Sequence, residues 1–187
     1  MPNGDHLLLQ HAHNLLNHAR SAKGDNTAVI DGFNRVVNQY ASGKPDMRAF
    51  VLRHLHTSEE DLQALLTKGY LAEAANLLDK ARKTHEVTDY LITDMRQYLN
   101  KANAGYAAIG TTADEVLHLL RKGYRNGARK AARYLLIQWQ HRPERISQTD
   151  LDTLDFYRSL SCLSLAKLGL DEATLQSIRD TVAKNAT

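Results

Sequence analysis

The residues best suited to chemistry form a run of cations in the last third of the sequence. Residues 121–145 include eight basic residues and one acidic residue, so this segment has a net charge of +7. The rest of the chain holds sixteen basic and twenty acidic residues, a net charge of −4. Guanidinium groups bind phosphate through paired hydrogen bonds, and contacts with a nucleic-acid backbone release counterions. This charge distribution predicts a surface that binds phosphates.

The spacing of the arginines places much of this charge on one side of a predicted helix. Arg125, Arg129 and Arg133 recur at every fourth residue and therefore form a row along a helix. Tyr134 lies off the apolar stripe of the same helix, and an aromatic ring can stack on a base. The predicted nucleic-acid-binding residues are Arg121, Lys122, Arg125, Arg129, Lys130, Arg133, Tyr134, Arg142 and Arg145.

The predicted mode of binding is contact with the backbone or shape of RNA or DNA. A helix-turn-helix that reads DNA sequence needs buried apolar residues at the positions that Lys122 and Arg129 occupy here. Phosphate contacts position a protein on a nucleic acid without reading its bases. The sequence therefore favours a non-enzymatic accessory subunit of a nucleoprotein complex.

Two other interpretations of the basic segment remain open. A helical adaptor for protein-protein interactions would dock the same basic face on an acidic partner. Alternatively, the cations are solvated or form ion pairs with acids elsewhere in the fold, such as Asp150, Asp152 and Asp155. The three aspartates are themselves explained by the first turn of a helix, where the helix dipole favours acids.

Motifs for metal binding and catalysis are weak. The first predicted helix holds two pairs of histidines that are each seven residues apart, namely His6 with His13 and His11 with His18. Chelation of a metal within one helix uses residues four apart. Glu115 and His118 match the Glu-x-x-His element of di-iron bundles, but the sequence has no second copy. We predict no catalytic residue, no metal and no cofactor. A metal-dependent helical enzyme that uses the histidines is the remaining alternative.

The compartment is predicted from the cysteine count and the N-terminus. Cys162 is the only cysteine, so an intramolecular disulfide cannot form, and its apolar neighbours predict a buried thiol. The N-terminus lacks the basic start and apolar stretch of a signal peptide, and no segment has the 18 or so apolar residues of a membrane span. We expect a cytoplasmic protein without a membrane partner.

Apolar residues recur at intervals of three and four almost throughout, which predicts an all-α fold. Short connections between the helices favour one compact domain over residues 1–187. Hydroxyl residues followed three positions later by an acid mark several helix starts, as at Ser147 and Asp150, and Pro143 should end the helix that holds Trp139. The predicted helices are 5–22, 26–41, 45–56, 58–68, 70–84, 86–104, 112–122, 124–141, 148–168 and 171–185.

Two segments that are 54 residues apart resemble each other. Both contain Lys-Gly-Tyr, at residues 68–70 and 122–124, and both have an alanine four residues after the tyrosine. Each copy predicts a helix, a turn at Lys-Gly-Tyr and a second helix, so we expect antiparallel helical hairpins with a weak repeat character. The spacing of Gly69, Ala74, Leu78 and Ala81 is similar to the second half of a tetratricopeptide repeat, which implies close helix crossing at the small residues.

Overall fold

The computed structural model describes residues 2–84, 89–161 and 164–187. Over these residues the chain forms eight α-helices and no strand, which confirms the all-α prediction. Short 3-10 turns lie at Tyr106–Ile109, Pro143–Arg145 and Ala166–Leu168. The helices are α1 (Pro2–Ser21), α2 (Thr27–Ala41), α3 (Pro45–His54), α4 (Glu59–Thr84), α5 (Asp89–Lys101), α6 (Ala113–His141), α7 (Gln148–Ser161) and α8 (Glu172–Asn185).

Local sequence explains where several helices begin and end. α6 ends at His141, just before Pro143, whose ring cannot continue a helix. Ser147 and Asp150 cap the start of α7 reciprocally: the Asp150 amide donates to Ser147 Oγ at 3.3 Å, and the Ser147 amide donates to Asp150 Oδ2 at 3.0 Å. Asp171 accepts a hydrogen bond from the Thr174 amide at 2.8 Å before α8. The predicted helix starts and stops are confirmed at these positions.

The predicted turns at Lys-Gly-Tyr are wrong, because α4 and α6 are each continuous through this sequence. The hairpins predicted for residues 58–84 and 112–141 are therefore single long helices. Gly69 leaves room for the loop between α1 and α2. A Cβ there would lie 2.6 Å from Asn26 Oδ1 and 3.0 Å from the Gly24 carbonyl oxygen. Close approach, rather than a left-handed turn, is what requires this glycine.

The chain divides into two compact units. The first unit comprises the residues up to Asp79 together with Thr93–Thr112, and the second comprises Lys80–Ile92 together with Ala113–Thr187. The single-domain organisation stays a prediction. Part of the predicted helix 148–168, including Cys162, lies outside the described residues, as does the start of the helix predicted from residue 86.

The first unit is built on the packing of α1 against α2. Its core consists of Ala12, Leu16, Phe33, Val37, Val51, Leu52, Leu55 and Leu62. Polar contacts tie the loop between α1 and α2 to the later helices. The buried Asn26 side chain donates to the Leu65 carbonyl at 2.9 Å, and the Tyr98 hydroxyl donates to Asp25 Oδ2 at 3.0 Å. The Asn26 amide nitrogen and the Asp25 carboxylate therefore have hydrogen-bond partners on α4 and α5.

The second unit is built on the packing of α6 against α7. Small residues allow close approach, since a Cβ on Gly127 would lie 2.6 Å from the Tyr157 ring. The core beside this contact consists of Ala132, Leu135, Ile146, Leu151, Leu154, Leu165, Leu170, Leu175, Ile178 and Val182. Burial of Ala132 and Leu135 fixes the rotation of α6 and so decides which of its residues face water.

Candidate nucleic-acid interface

The C-terminal half of α6 has the apolar stripe that the sequence predicts. Ala128, Ala132 and Leu135 are at most 1% exposed and recur at helical spacing. Tyr124, Ala131 and Trp139 flank them and are partly buried. With this stripe against the core, the neighbouring positions 125, 129 and 133 lie on the exposed side of the helix. The three arginines at these positions therefore face water.

Continuity of α6 makes the row of arginines longer than the sequence suggested. Without a turn at residues 122–124, Arg121 belongs to the same helix as Arg125, Arg129 and Arg133. These four residues, which we call the arginine row, are spaced at i, i+4, i+8 and i+12 and span about 18 Å at a rise of 1.5 Å per residue. All four side chains are exposed.

The other predicted cations are also exposed but occupy different places. Lys122 and Lys130 lie on α6 beside the arginine row. Arg142 directly follows the helix, and Arg145 ends the 3-10 turn after it. Arg145 lines a cleft of about 530 Å³ together with Arg179 of α8, a cation that the sequence interpretation missed. Six of the eight cations thus share one helix, and two follow it.

Acids do not neutralise the arginine row within the described part of the chain. Over residues 2–84, 89–161 and 164–187, the four arginines of the row make no ion pair within 4 Å. The three aspartates considered as partners bind within α7 or at its start. Asp152 accepts from Gln148 Nε2 at 3.0 Å, and Asp155 lies 3.7 Å from Arg158 Nη2, while Asp150 caps the helix. The proposed pairing with these aspartates is therefore not present.

The charge of the row carries an energetic cost for the helix. Like charges at i, i+4 destabilise a helix by about 0.2–0.5 kcal/mol per pair, and the arginine row contains three such pairs. Asp114 and Glu115 are the only acids of α6, and both lie in its first turn. Glu115 accepts hydrogen bonds from Arg82 Nε at 3.2 Å and Nη2 at 2.7 Å. No acid on α6 is thus placed to offset the repulsion in the row.

An aromatic and an aliphatic side chain extend the exposed face. Tyr134 is 49% exposed, as its position off the apolar stripe predicts. Ile137 is 54% exposed and was missed by the sequence interpretation. Lys130, Arg133, Tyr134 and Ile137 stand at i, i+3, i+4 and i+7, which is the spacing of neighbours on one helix face. The position of Ile137, four residues after Arg133 and three after Tyr134, could have identified it from the sequence.

The metal-binding motifs of the sequence do not come together within the described residues. No group of three or more metal-binding side chains is close enough to hold a metal ion over the described residues. Glu115 of the Glu-x-x-His element pairs with Arg82 instead. The hydrogen bond to Asp25, together with burial and the Asp25 charge, raises the pKa of Tyr98 to about 12. A phenol with so high a pKa is a poor general base or nucleophile at neutral pH.

Comparison with known proteins assigns no relative: no protein-family model, curated protein or solved structure matches this chain. The similarity to a tetratricopeptide repeat is limited to the spacing of Gly69, Ala74, Leu78 and Ala81, all of which lie on α4. The resemblance implies two helices that cross at the small residues, but α4 is a single continuous helix. Over the described residues, none of the helices combines the length and the apolar composition needed to cross a membrane.

Proposed function

We propose that this protein binds the phosphate backbone of nucleic acid along α6, as a non-enzymatic accessory subunit of a nucleoprotein complex. The observation that supports the proposal is the exposed arginine row, which has no ion-pair partner within the described residues. The repulsion among four arginines on one helix is relieved when phosphates supply the missing negative charge. The proposed location of this activity is the cytoplasm, as the single cysteine favours.

Titration with nucleic acid at several salt concentrations tests the proposal. Fluorescence anisotropy would follow binding of duplex DNA, single-stranded DNA and RNA at about 50 and about 200 mM salt. If three arginines each neutralise one phosphate, the logarithm of the affinity falls with the logarithm of the salt concentration with a slope of about 2–3. We therefore expect at least about 15- to 40-fold weaker binding at the higher salt concentration. Binding that is insensitive to salt would refute the proposal.

A charge-matched pair of variants tests where the nucleic acid binds. The site variant combines Arg125→Glu, Arg129→Glu and Arg133→Glu. The control combines Arg35→Glu, Lys44→Glu and Arg96→Glu, which reverses three exposed cations on or next to other helices. Both variants change the net charge by the same amount, so a nonspecific effect of charge weakens them equally. We expect loss of binding for the site variant and at most a severalfold change for the control.

An acidic protein partner, docked by the same residues, is the alternative function. The two functions predict different results in a pull-down from cell extract. Capture through nucleic acid is lost after nuclease treatment. Capture of an acidic protein survives nuclease treatment but is lost in the site variant. The second result, combined with no binding in the anisotropy titration, would replace our proposal with the adaptor function.

A further inference from the structure

The C-terminal half of α6 combines cations with exposed apolar side chains. Tyr134 and Ile137 are about half exposed, and Ile137 is a helical neighbour of both Arg133, at i+4, and Tyr134, at i+3. The core-facing side of this part of the helix is already filled by Ala128, Ala132 and Leu135. Packing within the second unit therefore does not account for a ring and a branched aliphatic side chain at these exposed positions. We call Tyr134 and Ile137 the apolar pair.

The exposed ring of the apolar pair suits one kind of nucleic acid better than another. In a duplex the base faces are stacked on one another, so an aromatic ring outside the helix can reach sugars, phosphates and base edges but not the base faces. In a single strand the base faces are accessible, and proteins bind them by stacking on aromatic side chains beside a basic groove. The exposed Tyr134 ring and the exposed Arg133 guanidinium group are the two kinds of side chain that such binding uses.

We propose that α6 binds unpaired, single-stranded nucleic acid, with Tyr134 stacking on a base and Ile137 packing beside it. The inference rests on the proposed function, because the arginine row supplies the phosphate contacts. Stacking is tolerant of base identity, so the preference is for an unpaired strand and not for a sequence. Arg121, Arg125 and Arg129 then follow the backbone away from the stacked base along about 12 Å of helix, in a row that winds by about 40° around the axis from one arginine to the next.

The test compares the binding of four labelled probes by fluorescence anisotropy: an oligo(dT), an oligo(U), a duplex and an abasic strand. Each probe has about 20 nucleotides or base pairs, which is longer than the site of a single-strand-binding module. The abasic strand keeps the phosphates of oligo(dT) but has no bases. The variants are Tyr134→Ala, the conservative Tyr134→Phe and the control Tyr90→Ala. Tyr90 is 84% exposed and lies on α5, so its removal reports the general effect of losing a surface ring.

We expect oligo(dT) and oligo(U) to bind more tightly than the duplex or the abasic strand. Tyr134→Ala should weaken single-strand binding by about 5- to 150-fold, which corresponds to about 1–3 kcal/mol for one stacked base. It should leave abasic and duplex binding unchanged and keep the salt dependence. Tyr134→Phe and Tyr90→Ala should bind all four probes like the unmodified protein.

Different results would refute the inference and the proposed function. Equal affinity for duplex and single strand, or a change of less than twofold for Tyr134→Ala on oligo(dT), overturns the single-strand preference. If the site variant still loses binding in that case, the proposed function stands. Absence of salt-dependent binding to every probe overturns both.

Discussion

Gly69 offers a quantitative test of the fold, because alanine should be unfavourable there although it is favoured in most helices. Replacing a glycine by alanine inside an open helix stabilises it by about 1 kcal/mol. At Gly69 the new Cβ would lie 2.6 Å from Oδ1 and 2.8 Å from Cγ of Asn26. Contacts below 3.0 Å require the Asn26 side chain or the helix to move.

The expected cost has two parts. Overpacking of this kind costs about 1–3 kcal/mol. Displacing Asn26 also weakens its hydrogen bonds to the Leu65 carbonyl at 2.9 Å and the Ala19 carbonyl at 3.4 Å. A buried donor left without a partner costs a further 1–3 kcal/mol or so. After subtraction of the gain in helix propensity, Gly69→Ala should destabilise the protein by about 1–5 kcal/mol.

Gly32→Ala is the matched control for this measurement. Gly32 also lies inside a helix, but its Cβ would be 3.8 Å from Leu15 Cδ1 and 3.9 Å from Arg35 Nη2, which are ordinary contacts. The control should therefore stabilise the protein by up to about 1 kcal/mol. Urea unfolding followed by far-ultraviolet circular dichroism gives both differences.

A double-mutant cycle separates close packing from a turn at Gly69. In an Asn26→Ala background the two nearest atoms are gone, so Gly69→Ala should cost at least about 1 kcal/mol less. If Gly69 instead occupied a left-handed turn, the cost would be the same with and without Asn26. Equal costs in the two backgrounds, or a stabilising effect of Gly69→Ala alone, would refute a continuous α4 packed on this loop.

Two further predictions concern pH. The raised pKa of Tyr98 means that its contribution to stability is complete below pH 10 and is lost as the pH rises toward 12. The difference in ultraviolet absorbance between the native protein and Tyr98→Phe should therefore titrate near 12, and titration near 10 would contradict the hydrogen bond to Asp25. The hydrogen bonds from Arg48 hold the pKa of Glu59 below 4.5. Their contribution is present above pH 4.5 and lost in more acidic solution, so the free energies of unfolding of Glu59→Gln and the unmodified protein should converge there.

Local patterns in the sequence were sufficient for the helices and many of their ends. Helical periodicity depends on residues three and four apart, and a capping box such as Ser147 with Asp150 lies within one turn. Pro143 ends α6 as expected because its ring acts on its immediate neighbours. These features need no information from distant parts of the chain.

The Lys-Gly-Tyr prediction was wrong because glycine serves two purposes that look alike in sequence. Over the described residues, the glycines with positive φ are Gly43, Gly110 and Gly169, and each lies outside the α-helices. Gly69 lies within a helix, and a side chain there would collide with atoms of Gly24 and Asn26. These two residues belong to the loop between α1 and α2, and two helices separate that loop from α4 in the sequence. A prediction from neighbouring residues cannot reveal this contact, because the residues involved are more than 40 positions apart.

The concentration of positive charge between residues 121 and 145 follows from the sequence alone, and so does the row formed by Arg125, Arg129 and Arg133. Only the tertiary structure decided the rest. Continuity of α6 adds Arg121 to the row, and the aspartates that could have neutralised it are occupied at the start of α7 and along it. Ion pairing depends on distances between residues far apart in the chain, which helical spacing cannot supply.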